Sequence, residues 1–266
     1  MNTNPKVYAM IVAAGRGSRF GASIPKQYVL LGGQTLLQRS VARLATSDYI
    51  TDCWLVVASD DDIARTLNFA LPVYYTLGGN ERWQSVFAGV EAIMAAGAKP
   101  SDLILIHDAA RPAVPQTDIN QVIESAMHEH YGAILAAPVA DTLKQSYVLS
   151  NANVAADHQD SANSHSSNNE TNSINNSQQC YAKHTIDRTG IWQAQTPQVF
   201  RVDQLYRVLS YVKEQHLSIT DEASAFEYLD LPIRLVEGSR QNIKLTYPDD
   251  NLLLTSIIKA QSEPSF

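Results

Sequence analysis

Two stretches of this 266-residue chain set fixed positive charge beside glycine or acid in a spacing that suits phosphate chemistry. The first, Ala13-Ala14-Gly15-Arg16-Gly17-Ser18-Arg19-Phe20-Gly21, follows an apolar run and is followed by Pro25-Lys26-Gln27. Glycines let the backbone approach a ligand and aim successive N–H groups at it. Arg19 and Lys26 add cations where phosphate oxygens would sit. The dinucleotide pattern G-x-G-x-x-G fails at Phe20, and the G-x-x-x-x-G-K-[ST] pattern is absent. Taken alone, the loop also reads as a tight strand-to-helix turn with solvated cations. The second stretch is His107-Asp108-Ala109-Ala110-Arg111-Pro112. An Asp there can hold Mg²⁺ through oxygen and an Arg can fork onto a phosphate. An Asp–Arg salt bridge closing the loop is the alternative. His107 reads as a packing residue beside a strand rather than a base. Asp141-Thr142, Thr196-Pro197-Gln198, Thr220-Asp221-Glu222 and Asn242-Ile243-Lys244 complete the polar set. Thr220-Asp221-Glu222 reads as a helix start with Thr220 as N-cap and acids in the first turn. Asn242-Ile243-Lys244 reads as a surface turn.

These residues need elements to position them. Short, continuously apolar runs at residues 7–14, 53–58, 73–77, 103–107 and 133–139 predict parallel strands covered on both faces. Helical patterns fall between them at residues 35–45, 61–70, 81–96 and 117–130. The alternation predicts an α/β fold with a doubly wound, mostly parallel sheet. Ligands of such sheets bind beyond the carboxyl ends of the strands, so the loops after Ala14, Leu77, His107 and Val139 carry the chemistry. Further along, residues 191–200 and 233–237 read as strands, and 202–214, 221–229 and 249–260 as helices.

Composition narrows the class. The chain is 45% hydrophobic and carries a net charge of −7, a poor balance for covering a nucleic-acid surface. Two cysteines exclude a disulfide scaffold and a CxxC zinc site. No apolar run approaches the ~18 residues of a membrane span. The run after Lys6 is too short for a secretory signal and suits a buried first strand, so a cytoplasmic protein is expected. Residues 150–180 hold eight Asn, seven Ser and three Gln, with no Lys or Arg between 145 and 182. Such a tract buries too little apolar area to offset its ordering, and a disordered polar insertion is expected.

In combination the motifs are recognisable. Ala-Ala-Gly-x-Gly-x-Arg with Pro-Lys-Gln-Tyr, Gly78-Gly79-Asn80-Glu81-Arg82 and His-Asp-Ala-Ala-Arg-Pro resemble the 2-C-methyl-D-erythritol 4-phosphate cytidylyltransferase family. Asp187-Arg188-Thr189-Gly190-Ile191-Trp192, Gln195-Thr196-Pro197-Gln198, residues 219–222 and Asn242-Ile243-Lys244 follow in family order. The resemblance implies a Rossmann-like nucleotidyltransferase, one domain over residues 1–266, that transfers CMP from CTP to methylerythritol phosphate with Mg²⁺ and releases pyrophosphate. It implies that Ala13, Ala14 and Gly15 line the nucleotide, and that Gly79, Asn80 and Ser85 contact the cytidine side. Arg19 and Lys26 match the pair that stabilises the transition state on the triphosphate. Asp108, the implied metal ligand, and Arg111 would face the metal and the second substrate. Thr142, Arg188, Thr196 and Lys244 would hold that substrate, with Arg188 and Lys244 counted as catalytic. The family also implies a homodimer built by an arm over residues 141–188, placing Thr142 and Arg188 in the neighbour's site.

The sequence departs from the family at Asn80, where Asp is frequent, at Phe20 for Met, and at Val12 for Pro. None of these removes a phosphate contact. Two rival readings share the glycine loop: a ribitol-5-phosphate cytidylyltransferase and a catalytically silent nucleotide-binding protein. The Asp-Arg-x-Gly-x-Trp motif opposes the first, and the retained Arg19, Lys26, Arg188 and Lys244 oppose the second.

Overall fold

Alternate residues of one short strand divide the interior in two. Val7, Ala9 and Ile11 pack on one side, while Tyr8 and Met10 pack on the other. A strand with both faces apolar belongs in the middle of a sheet covered twice. The computed structural model describes residues 5–15, 24–148 and 179–262. The elements in chain order are β1 (Val7–Val12), β2 (Leu30–Leu31), β3 (Gln34–Thr35), α1 (Leu36–Leu44), β4 (Cys53–Val57), β5 (Val73–Leu77) and α2 (Arg82–Ala95). They continue with β6 (Leu103–Asp108), α3 (Gln116–His128), β7 (Gly132–Pro138), β8 (Leu143–Val148), β9 (Cys180–Ile186) and β10 (Trp192–Arg201). The last are α4 (Val202–Glu214), α5 (Glu222–Glu227), β11 (Arg234–Glu237) and α6 (Asp250–Ser262). Two compact units result, Pro138–Trp192 and the rest, Met1–Ala137 with Gln193–Phe266.

The larger unit holds a seven-stranded sheet of order β11-β7-β10-β6-β1-β4-β5. β1 lies parallel to both β4 and β6, β4 to β5, and β7 to β11, whereas β10 runs antiparallel to β6. Leu37, Val41 and Leu44 of α1 and Ile119, Val122 and Ile123 of α3 cover one face. Val86, Val90 and Ile93 of α2, Leu205 and Leu209 of α4 and Phe226 of α5 cover the other. This is the doubly wound, mostly parallel sheet that the apolar runs predict. A small third cluster joins Leu31 and Leu36 to Leu245 and to Leu254 of α6, tying the chain's last helix beside its first.

Local chemistry explains where the structure departs from the sequence pattern. A helix expected over residues 61–70 is reduced to a single 3₁₀ turn at Ala64–Thr66. The Asp61 carboxylate accepts the N–H groups of Ile63 and Ala64, each at 3.0 Å, and also the Tyr28 hydroxyl. A side chain that closes its own turn in this way competes with helical bonding. The start of α5 is capped by Asp221, whose Oδ1 accepts the Ser224 N–H at 3.1 Å, so Thr220 is not the N-cap. The smaller unit is an antiparallel ribbon of β8 and β9, pairing Leu143 with Ile186 and Val148 with Cys180. Of the insertion expected over residues 150–180, residues 150–178 lie outside the described residues, and Cys180 belongs to β9.

His107, fully buried near the end of β6, joins three segments. Its Nε2 lies 3.0 Å from the Arg111 carbonyl oxygen, its Nδ1 3.1 Å from the Thr196 hydroxyl, and that hydroxyl accepts the Asp108 N–H at 3.1 Å. A neutral imidazole satisfies all three bonds, with Nε2–H donating to Arg111 and the Thr196 hydroxyl donating to Nδ1. Burial pushes the His107 pKa down to about 4.

Two predictions follow from these packings. A Cβ at Gly132 would stand 2.2 Å from the Val199 carbonyl oxygen and 2.9 Å from the Phe200 Cα, so Gly132→Ala forces β7 off β10. Calorimetry should show a loss of about 3 kcal/mol, or a melting temperature lower by roughly 6–12 °C. Because the folded pKa of His107 is depressed, its neutral pairing contributes fully above the unfolded value of about 6.5 and fades as pH falls towards 4. Urea unfolding of the parent should lose up to about 3 kcal/mol more over that window than His107→Gln does.

Candidate active site

The carboxyl ends of β1, β5 and β6 converge on a cleft of about 250 Å³. β1 delivers Ala13, Ala14 and Gly15, and the 3₁₀ turn at Lys26–Tyr28 delivers Lys26 and Gln27. Gln27 donates to the Ala13 carbonyl at 2.7 Å and fixes the turn against the loop. The segment after β5 supplies Gly79, Asn80, Arg82 and Ser85, so α2 begins at the cleft wall, its first turn closed by a capping box between Glu81 and Gln84. A Cβ at Gly78 would meet the Ala14 Cβ at 2.6 Å, so only glycine lets the two loops approach this closely. Ser85 Oγ accepts the Gly79 N–H at 3.1 Å, and Gln84 Oε1 accepts that of Asn80 at 2.9 Å.

Charge is concentrated at the end of β6. Asp108 receives Arg82 at 3.3 Å on one carboxylate oxygen and Lys244 at 2.6 Å on the other. Arg82 is bound at its other nitrogen by Glu222, a buried acid of α5. Burial opposes ionisation of Asp108, but the charges of Arg82 and Lys244 outweigh it and hold the carboxyl well below the usual range. Lys26 Nζ donates to the Leu245 carbonyl at 2.6 Å, bringing both lysines to one loop.

That loop is anchored in the interior by Asn242 and Leu245, while Lys244 itself is exposed. Asn242 is only 1% exposed, and its Nδ2 donates to Gln195 Oε1 at 3.1 Å and to the Thr196 carbonyl at 2.8 Å. Arg111 donates to the Asn242 carbonyl at 2.6 Å and is 8% exposed. Arg111 and Thr196, expected to face a ligand, do not line this cleft. Both stand behind the cleft wall, where Arg111 braces the Lys244 loop and Thr196 braces His107 and Asp108.

The structure thus gathers Ala13, Ala14, Gly15, Lys26, Gly79, Asn80, Ser85, Asp108 and Lys244 around one cleft. Arg19 lies outside the described residues. Thr142 and Arg188 are exposed on the smaller unit, Thr142 just before β8 and Arg188 in the turn where the Ile191 N–H donates to its carbonyl at 2.9 Å. Arg82 and Glu222 carry charge at the site yet receive no role from the sequence pattern. Arg82 sits inside the quoted Gly78–Arg82 motif, and Glu222 follows a helix cap, so only their pairing across the fold distinguishes them. A larger groove of about 500 Å³, lined by Trp83, Phe87, Lys213 and Leu217, takes only Glu81 from a strand-end loop and includes neither the glycine loop nor Asp108. The smaller cleft is the better candidate for chemistry.

Comparisons with known proteins place the chain in a family. The family model for IspD, 2-C-methyl-D-erythritol 4-phosphate cytidylyltransferase, matches residues 7–163 and 152–260. The enzyme of that name from Psychrobacter cryohalolentis is 65% identical over 98% of this chain and 95% of its own length. The one from Vibrio atlanticus is 35% identical over 97% of each. A solved 4-diphosphocytidyl-2C-methyl-D-erythritol synthase superposes with a TM-score of 0.74 at 31% identity, covering 96% of this chain and all of the other. By sequence and by fold, the chain belongs to the 2-C-methyl-D-erythritol 4-phosphate cytidylyltransferase family.

Proposed function

We propose that the cleft at the ends of β1, β5 and β6 is where CMP passes from CTP to 2-C-methyl-D-erythritol 4-phosphate, forming 4-diphosphocytidyl-2-C-methyl-D-erythritol and pyrophosphate in non-mevalonate isoprenoid synthesis. One observation carries this: glycine-loop backbone, Lys26 and the Asp108–Lys244 pair face a single space. In this reading Ala13, Ala14 and Gly15 border the nucleotide, and Gly79, Asn80 and Ser85 border its cytidine side.

The acceptor's phosphate oxygen is already anionic, so no strong base is required. That oxygen forms a bond to the α-phosphorus of CTP as the bond to the β-phosphate breaks, and the electron pair leaves with pyrophosphate. The barrier is the meeting of two polyanions, and positioning with electrostatic stabilisation lowers it. Lys26 and Arg19 offset charge on the triphosphate, while Lys244 and Arg188 hold the attacking phosphate and Thr142 orients it. Arg111 and Thr196, which also hold the Lys244 loop and Asp108 in place, are read with them as contacts to the second substrate.

Mg²⁺ fits this site in a limited way. Among the described residues no three His, Cys, Asp or Glu side chains gather into a metal cluster. Asp108 is ionised at the cleft, which suits an ion held by one carboxylate together with substrate phosphates and water. When bound, the ion supplies charge neutralisation of the triphosphate.

The arm reading is also a proposal. Tyr147, Val148, Tyr181 and Ile186 expose their apolar surface on the two strands of the ribbon, which supports its use in a homodimer. In that dimer Thr142 and Arg188 would serve the neighbouring site. Among the described residues no helix is long and apolar enough to cross a membrane. A cytoplasmic enzyme of small-molecule substrates, binding neither membrane nor nucleic acid, remains the expectation from the sequence.

Pyrophosphate release with CTP and Mg²⁺ tests the reading directly. Release should be strong with methylerythritol 4-phosphate and absent with ribitol 5-phosphate; the reverse would assign the ribitol reaction. Lys26→Ala should lower kcat by at least ~100-fold, as loss of one aimed donor does, and near-normal turnover would remove its role. Light scattering at micromolar concentration should return a dimer mass, against which a monomer would count.

A further inference from the structure

Glu222, Arg82, Asp108 and Lys244 alternate in sign from the interior to the cleft mouth. Glu222 is the member that does not border the cleft. It is 0% exposed, one oxygen takes Arg82, and the other has no hydrogen-bond partner among the described residues. A buried carboxylate held by one partner is costly, and an apolar residue of similar size would serve stability as well or better. Its placement calls for a different account, and the cleft provides one.

Lys244 closes on Asp108 at 2.6 Å, and an incoming phosphate competes for that ammonium and can draw it off the carboxylate. Asp108 then keeps one cation, Arg82. An arginine side chain is long and flexible, and a nearby triphosphate is a stronger attraction than a single carboxylate. What holds Arg82 back is its second tether, because Glu222 binds the nitrogen that Asp108 leaves open. We propose that Glu222 is a positioning residue for the transfer: it anchors Arg82 on Asp108 so that Lys244, and not Arg82, turns to the substrate phosphates. This rests on the functional reading above. An Arg82 released into the cleft would bind the triphosphate in the ground state without helping the transition state, so CTP binding is not weakened while turnover falls.

The experiment uses the full-length chain with Glu222→Gln, Arg82→Lys and the double variant. Pyrophosphate release with CTP, Mg²⁺ and methylerythritol 4-phosphate is read beside CTP affinity by titration calorimetry without the acceptor. Expected for Glu222→Gln is a kcat lower by at least ~10-fold, the scale of a lost positioning contact, with the CTP Kd within about threefold. Because Glu222 acts through Arg82, the double variant should be no slower than Arg82→Lys alone. Glu222→Asp, which keeps the charge, should recover part of the loss. A Glu222→Gln kcat within about twofold of the parent, or losses that multiply in the double variant, would overturn the proposal. If Glu222→Gln does not fold, Arg82→Lys decides: normal kcat overturns the proposal, and reduced kcat at unchanged CTP affinity supports it. A parent chain that releases no pyrophosphate would remove the functional reading and this inference together. An active parent beside an unaffected Glu222→Gln would remove the inference alone.

Discussion

A carboxylate at the end of a buried strand must be compensated, and much of the site is organised by that requirement at Asp108. Arg82 and Lys244 meet its two oxygens, and the Thr196 hydroxyl takes its backbone N–H. Each partner is itself fixed from behind. Glu222 holds Arg82, His107 holds Thr196, and Arg111 with Asn242 holds the loop that carries Lys244. The consequence is a set of cations placed before any ligand arrives, which is how a protein stabilises transferred charge with little reorganisation. The cost is borne by buried polar groups, His107, Arg111, Thr196, Glu222 and Asn242 among them.

The architecture was largely legible because apolar period and length speak directly to burial. Runs such as residues 103–107 are apolar on consecutive positions, and a parallel strand covered twice requires that. The failures were local. Residues 61–70 have a helical pattern, yet the Asp61 carboxylate offers the backbone a competing partner and α-helix gives way to one turn. The antiparallel course of β10 was equally hidden, since a strand's direction depends on where its neighbours lie and not on its own residues.

For the site, position at strand ends was the readable part. Ala13 to Gly15, Lys26, Gly79, Asn80, Asp108 and Lys244 lie in the loops where a doubly wound sheet places ligands, and the structure brings them to one cleft. Arg111 is harder to place from sequence, because an arginine near an aspartate reads alike whether it faces solvent or a buried loop. Only the Asn242 carbonyl, 131 residues away, separates the two. Arg82 and Glu222, 140 residues apart, form an ion pair that no spacing along the chain announces.

The place of β10 in the sheet bears on how the protein is made. It lies between β6 and β7, although both precede it in the chain. During synthesis those two strands leave the ribosome with facing edges still unfilled, for roughly 3–10 s at about 5–20 residues per second. Open strand edges are templates for pairing with other chains. The nascent enzyme therefore passes through an interval when its central sheet is split, and binding by a chaperone in that interval would guard it against aggregation until the missing strand arrives.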